Sequence, residues 1–300
     1  MVRFISLVFW GLGLLSLTNC SLRPQIQPLS LQGFSQNLKP GEAVETATGE
    51  VLSFESLVNR LSKVDVVYVG ETHIRTEDHR LQLDILKGIQ SRHTSPILAL
   101  EMLPREVQPF LDQYSQGLIS EKDFREGVQW EKNWGYPFDL YRGIFHWARA
   151  RRLKMVGLNA PIEVVKHIAQ KGLEYLTPEE RQKVALEFHL DHSEHRETIR
   201  RQYAHHPKGK IKNFESYYEA QLAWEETMAE TLTQTLRDAS GIGPILVLVG
   251  SGHIAYKLGL PRLVRIRKEH TFKTILSIPS DYPSRILDPK LADYLWIMEK

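Results

Sequence analysis

Two runs of β-forming residues set the terms for what this chain can fold into. Val66-Val67-Tyr68-Val69 leads into Gly70-Glu71-Thr72-His73, and Pro244-Ile245-Leu246-Val247-Leu248-Val249 leads into Gly250-Ser251-Gly252-His253. A continuous apolar run reads as a strand buried on both faces, the kind found in parallel sheets. Parallel neighbours need long crossover connections, so helices must cover the faces. Both runs end in Gly-x-x-His, and in such sheets ligands gather outside the carboxyl ends of the strands. If the two strands are neighbours, His73 and His253 come to one rim beside Glu71. That rim is read as the functional site.

The rest of the chain keeps a βα rhythm. Ser53 is positioned to cap a helix with Phe54, Leu57, Val58 and Leu61 on one stripe, after a short hairpin around Gly49. A helix is expected from Thr76 to about residue 91. A second core strand at 97–102 then brings Glu101 to the same rim, with Pro104 marking the turn out. Residues 105–150 read as helices interrupted by an irregular aromatic segment at 129–137. A strand over 153–159 follows, with Asn159 at its carboxyl end. No strand signal falls between 173 and 240, where a helix over 188–206 and a long helix over 213–238 are expected. Residues 275–278 read as an edge strand. The expectation is an α/β fold: a parallel β-sheet core flanked by helices, formed by 46–173 and 213–300, with a smaller inserted helical subdomain at 174–212.

The amino terminus reads differently. A basic start is followed by an apolar run from 4 to 17 that is too short to span a bilayer and suits a signal-peptide core. It ends at Leu17-Thr18-Asn19-Cys20, and Cys20 is the only cysteine of the chain. Residues 1–20 are therefore expected to be a lipoprotein signal, with Cys20 lipidated, the protein lipid-anchored to a membrane of the cell envelope outside the cytoplasm, and 21–45 a tether. A body without thiols has neither disulfides nor thiolate-metal sites. Formal net charge is +2, so charge gives no case for nucleic acid as a partner.

Three constellations carry candidate chemistry. Glu71, His73, Glu101 and His253 at the rim can act as acid and base, or His73 and His253 can ligate a divalent metal ion. Residue type does not choose between these, and each residue alone could cap a strand end. On the 188–206 helix, His189, His192, Arg196, Ile199, Tyr203 and His206 follow a three-four spacing, with His195 and His205 close by. Imidazole and phenolate both ligate haem iron, and arginine suits a propionate. The plain alternative is a solvated face rich in histidine. On the long helix, Phe214, Tyr217, Gln221, Trp224, Met228 and Leu232 read as a core stripe, from which Gln221 and Glu225 could reach the rim. A Gly-x-Ser-x-Gly elbow, a His-Glu-x-x-His pair and a dinucleotide fingerprint are absent.

Taken together, Gly70-Glu71-Thr72-His73, Ala99-Leu100-Glu101-Met102, the Trp130/Trp134 segment, Gly157-Leu158-Asn159-Ala160-Pro161, Gln221-x-x-Trp224-x-x-x-Met228-Ala229 and Gly252-His253 with Gly259-Leu260-Pro261 resemble the ChaN haem-binding lipoproteins. The likeness runs in order over about 46–280. That family is similar to the Tiki/TraB proteins and the erythromycin-esterase type hydrolases. The resemblance implies an α/β sheet domain with a smaller helical one, a lipid anchor, haem or iron handling, and a homodimer that binds haem through tyrosine assisted by histidine. Tyr203, with His192, Arg196 and His206, is the haem-binding set expected from the stripe. A hydrolase using the rim remains the alternative.

Overall fold

The computed structural model describes residues 29–93, 95–204, 211, 213–239 and 243–299. The two apolar runs, Val66–Glu71 and Ile245–Gly250, are hydrogen-bonded parallel neighbours, with Gly70 opposite Val249 and Glu71 opposite Gly250. In chain order the strands are β1 (Leu29–Leu31), β2 (Asn37–Leu38), β3 (Ala43–Glu45), β4 (Val51–Leu52), β5 (Val66–Glu71), β6 (Ile97–Pro104), β7 (Met155–Asn159), β8 (Ile245–Gly250), β9 (Phe272–Pro279), β10 (Ile286–Leu287) and β11 (Tyr294–Met298). The helices are α1 (Phe54–Leu61), α2 (Thr76–Gln90), α3 (Gln108–Ser115), α4 (Glu121–Gly127), α5 (Trp130–Asn133), α6 (Arg142–Ala150), α7 (Ile162–Lys171), α8 (Pro178–Arg181), α9 (Ser193–Ala204), α10 (Phe214–Asp238) and α11 (Leu260–Arg267).

Among the described residues, eight strands form one sheet in the order β4-β3-β11-β9-β5-β8-β6-β7. From β11 to β7 every pairing is parallel, and the β3–β4 hairpin closes one edge antiparallel. The chain leaves β5 for β6 and only later inserts β8 between them. The carboxyl ends of β5, β8 and β6 therefore lie side by side. Alternate residues feed two cores. Val67, Val69, Leu98, Leu100, Leu246 and Leu248 face the side covered by α1, α2, α3 and α6. Val66, Tyr68, Ala99, Val247 and Val249 face Met228 and Leu232 of α10 and Leu263 of α11. This is an α/β fold with a largely parallel sheet flanked by helices, as the rhythm of the sequence predicts.

Several boundaries differ from the sequence reading. Within the expected tether, residues 29–45 belong to the fold. Leu29, Leu31 and Leu38 are buried, β1 pairs with β2 and β10, and β3 joins the main sheet. Cys20 and residues 21–28 lie outside the described residues, and no helix among those described is long and apolar enough to cross a membrane. The strand at 275–278 is not an edge: β9 lies between β5 and β11. Its polar residues are spent internally, since Thr274 Oγ1 donates to Asp293 at 2.9 Å and Ser277 bonds Asp78. The helix expected from 188 begins only at Ser193, because the Nδ1 of His192 accepts the backbone N–H of His195 at 3.1 Å and so caps it. Residues 160–204 pack on α10 through small apolar clusters around Val164, Ile168 and Val184, and around Ile199, Phe214 and Tyr218.

Candidate functional site

Glu71 closes β5 and is 2 % exposed. Its Oε1 accepts the Tyr141 hydroxyl at 2.5 Å and lies 2.9 Å from Nδ1 of His73. Its Oε2 accepts Nε2 of Gln82 at 2.7 Å and lies 3.5 Å from Nδ1 of His79. Burial alone would raise the carboxyl pKa, but the bonds from His73, His79 and Tyr141 hold it down at about 2. The amide nitrogen of Gln82 also faces the Val69 carbonyl, so its oxygen turns to Nδ1 of His79 at 3.2 Å. Nε2 of His79 faces the His73 carbonyl at 3.1 Å. Both nitrogens of that buried ring thus meet oxygen acceptors, the environment of an imidazolium. Burial opposes the charge, yet Glu71 outweighs it and the His79 pKa is raised.

The second half of the site grows from β6 and β8. Glu101, 5 % exposed, accepts the Gly250 N–H with Oε2 and lies 3.2 Å from Nε2 of His253 with Oε1. On the other side, Nδ1 of His253 lies 2.9 Å from Oε1 of Glu225 and 3.0 Å from the Gln221 amide. Desolvation would lower the His253 pKa; the two flanking carboxylates instead raise it to about 10. Glu225 is fully buried, which would raise its pKa, but His195 and His253 hold it at about 2. His195, on α9, places Nε2 3.1 Å from Oε2 of Glu225, off the hydrogen-bond direction, so that contact is electrostatic. The order Glu101–His253–Glu225–His195 alternates acid and imidazole from the rim into the helical layer.

Gly250 joins the halves. A Cβ there would stand 2.8 Å from Cε1 of His73 and 3.4 Å from Oε2 of Glu101. The absent side chain is what lets the ring lie over the end of β8. With Nδ1 directed at Glu71, Nε2 of His73 has no partner among the described residues and faces a cleft of about 240 Å³. Trp134 and Tyr136 pack on the His73 ring at 4.6 and 5.0 Å, and Trp224 stands 6.4 Å from the His253 ring. Glu71, His73, Glu101 and His253 are thus brought together at one rim. Such a pair can abstract a proton through His73 while Glu71 fixes the ring. The expected divalent-metal site on His73 and His253 is not formed. Both nitrogens of His253 face carboxylates, and among the described residues no group of three or more His, Cys, Asp or Glu is arranged to hold a metal ion.

The α9 stripe divides. His195 and Ile199 turn inward and are buried. His189 lies before the helix, 3.1 Å from Glu226. His192 is spent as the cap at the opposite end from Tyr203. Eleven residues at 1.5 Å each put those two about 16 Å apart, too far to share one iron. Arg196 pairs with Glu215 and lies over the Tyr218 ring at 4.8 Å. Tyr203 is half-buried against Tyr217 at 5.2 Å and Phe214 at 5.7 Å, and its hydroxyl has no partner among the described residues. His205 and His206 lie outside the described residues.

Residues 57–264 match the model of a family described as haem-binding uptake, Tiki superfamily, ChaN. The chain belongs to the ChaN family. Among solved structures it is similar to ChaN of Campylobacter jejuni, described with cofacial haem binding, at 20% identity and a TM-score of 0.67, over 89% of this chain and 98% of that one. An erythromycin esterase in an open conformation aligns over 81% of this chain and 77% of its own at 12% identity and a TM-score of 0.46. Among curated proteins, RETICULATA-RELATED 5, chloroplastic, of Arabidopsis thaliana is 23% identical over 85% of this chain. The chain spans 36% of that relative's length.

In this ChaN-family chain, sequence reasoning missed His79, Gln82 and Tyr141, and it placed His195 only near the stripe. The first two carried a signal. They lie three apart on α2, on the stripe that also buries Ile85, Leu86 and Ile89. A polar residue on an apolar stripe must find a buried partner. Tyr141 carried no comparable mark.

Proposed function

We propose that this chain binds haem where the end of α9 meets the start of α10, with the Tyr203 oxygen as iron ligand. The observation that carries this reading is the Tyr203 hydroxyl, unpartnered among the described residues, on a shelf made by Phe214 and Tyr217. The guanidinium of Arg200 stands 3.9 Å over the Phe214 ring, and that of Arg196 5.1 Å from it. A tetrapyrrole is a flat apolar body with two carboxylates, so an aromatic shelf flanked by cations fits it. Arg200, which the stripe argument passed over, is three residues from Tyr203 and nearer than Arg196. The cleft at the rim does not fit: about 240 Å³ is below the roughly 300–1,000 Å³ of pockets that enclose drug-sized ligands. Bound haem supplies an iron that accepts a phenolate oxygen, and His206 stands close enough in sequence to assist.

The reading extends to an envelope protein anchored through Cys20 that takes part in haem or iron uptake. By analogy with the cofacial haem of the Campylobacter protein, two copies hold haem between them. Haemin titrated into the detergent-solubilised full chain should give a saturable Soret shift and a phenolate-to-iron band. Tyr203→Phe should abolish the band, and Arg200→Ala should weaken binding. A band of equal intensity in Tyr203→Phe overturns the ligand assignment. Labelled fatty acid should enter the wild type but not Cys20→Ser, and sedimentation with haemin should show the dimer.

A second reading rests on Nε2 of His73, unpartnered among the described residues and facing the cleft beside Glu101. Here His73, oriented by Glu71, takes a proton from water, the hydroxide attacks an ester carbonyl, and the alkoxide leaves with that proton. His73→Ala should lower hydrolysis of a small ester about 10²–10⁴-fold. Equal rates in the two proteins dispose of it.

A further inference from the structure

The cleft has a ligand preference that neither haem binding nor hydrolysis assigns. Its walls are aromatic on two sides. Trp134 and Tyr136, 5.3 Å apart, line the side of His73, and Trp224 lines the side of His253. Between them sits Glu101, nearly excluded from water. No lysine or arginine is among the residues lining the cleft. The ring of His253 is sandwiched between Glu101 and Glu225, with His195 beyond Glu225, and of these two carboxylates Glu101 is the one that lines the cleft. Behind the other wall, the charge of Glu71 is answered by His79. Nδ1 of His73 is directed at Glu71, which leaves Nε2 on the side of the cleft.

We infer that this cleft is a site for a small organic cation, an ammonium head group seated between Trp134, Tyr136 and Trp224 and facing Glu101. Aromatic faces attract a cation through their quadrupoles, and more strongly where water is excluded. A buried carboxylate adds a Coulomb attraction that water would otherwise screen. A carboxylate set among aromatic faces disfavours carboxylates and phosphates, which separates this ligand from the propionate-bearing haem of the α9 shelf. The site stands whether or not His73 performs hydrolysis.

The probe is choline against its neutral isostere, 3,3-dimethylbutan-1-ol, followed by tryptophan fluorescence of the full chain at constant ionic strength. Choline should quench saturably and bind at least about tenfold more tightly than the alcohol. Glu101→Gln should erase most of that ratio, and Tyr136→Leu should weaken choline severalfold. Tyr136 is half-buried on an irregular segment, so this variant keeps the test intact should Glu101→Gln fail to fold. Saturating choline should leave the Soret titration with haemin unchanged, so either reading can fail without the other. Equal affinity for choline and the alcohol, no saturable quenching, or choline affinity unaffected in Tyr136→Leu overturns the inference.

Discussion

Replacing Glu225 by glutamine removes one charge from the centre of the acid–imidazole chain and leaves its shape almost unchanged. The carboxylate is fully buried, 2.9 Å from Nδ1 of His253 and 3.1 Å from Nε2 of His195. Burial lowers the His253 pKa, and Glu101 with Glu225 reverses this and raises it from 6.5 to about 10. A folded-state pKa above the unfolded one stabilises fully below about pH 6.5, and that stability is lost as pH rises toward 10. At about 1.4 kcal/mol per pH unit of full slope, this one imidazolium accounts for roughly 2–3 kcal/mol of decline between pH 7 and 9. With glutamine at 225 only Glu101 supports the charge, so about half of that decline should vanish. At pH 7 the variant should be roughly 3 kcal/mol less stable, the low end for a buried ion stripped of a partner, because the amide still offers an acceptor. Urea unfolding followed by circular dichroism at pH 6, 7, 8 and 9 in both proteins reads both quantities. Parallel stability–pH curves, or a loss under about 1 kcal/mol, would show that the chain of charges is not ionised as drawn.

Three further outcomes are expected. Tyr141→Phe removes the 2.5 Å bond to the ionised Glu71 and should cost about 1.5–3 kcal/mol in urea unfolding. Because the Glu71 pKa is depressed to about 2, its stabilisation is present above about 4.5 and lost as pH falls toward 2, and this acid limb should flatten in the same variant. Gly250→Ala places a methyl 2.8 Å from Cε1 of His73; the half-buried ring can yield, so stability should fall by only about 1 kcal/mol while the His73 Hε1 proton resonance moves. Leu31→Ala should cost about 2–5 kcal/mol, as for a buried leucine of the fold, whereas a leucine in a free tether would cost nothing measurable.

The parts of the fold visible in the sequence are those where one physical signal acts alone. The runs at 66–69 and 244–249 are apolar at every position because helices cover both faces, and their length and β-branched content suit a central parallel strand. Where two demands compete, the pattern misleads. β9 carries Lys273, Thr274 and Ser277, which reads as exposure, but Asp293 and Asp78 satisfy the two hydroxyls inside the fold. The segment 29–38 carries leucines two apart in β1, yet strands this short, set among glycine and polar residues, fall below any periodicity test. In α9 the histidine spacing is helical throughout, and only the use of His192 as a cap shows that the helix starts after it.

The site was legible for a related reason, and only in part. Glu71 ends β5, Glu101 follows the last β6–β8 pair at Leu100, and the two Gly-x-x-His imidazoles follow β5 and β8, so register brings all four to the rim. Their ionic and hydrogen-bond partners come from helices on opposite faces of the sheet: His79 and Gln82 from α2, Gln221 and Glu225 from α10, with His195 added by α9. Gln221 and Glu225 lie one turn apart on a helix that is otherwise core, and His79 and Gln82 interrupt the buried stripe of α2 in the same way. Burying such groups without partners would cost on the order of 1–3 kcal/mol each, so a stable chain must supply partners. Each interruption of an apolar stripe therefore points toward a charged group across the interface. Here both sets of interruptions converge on one rim: those of α2 reach Glu71 at the end of β5, and those of α10 reach His253 just beyond the neighbouring β8. That convergence separates this rim from the α9 stripe, where His189 turns to Glu226, His192 caps the helix and only His195 reaches the rim through Glu225 among the described residues.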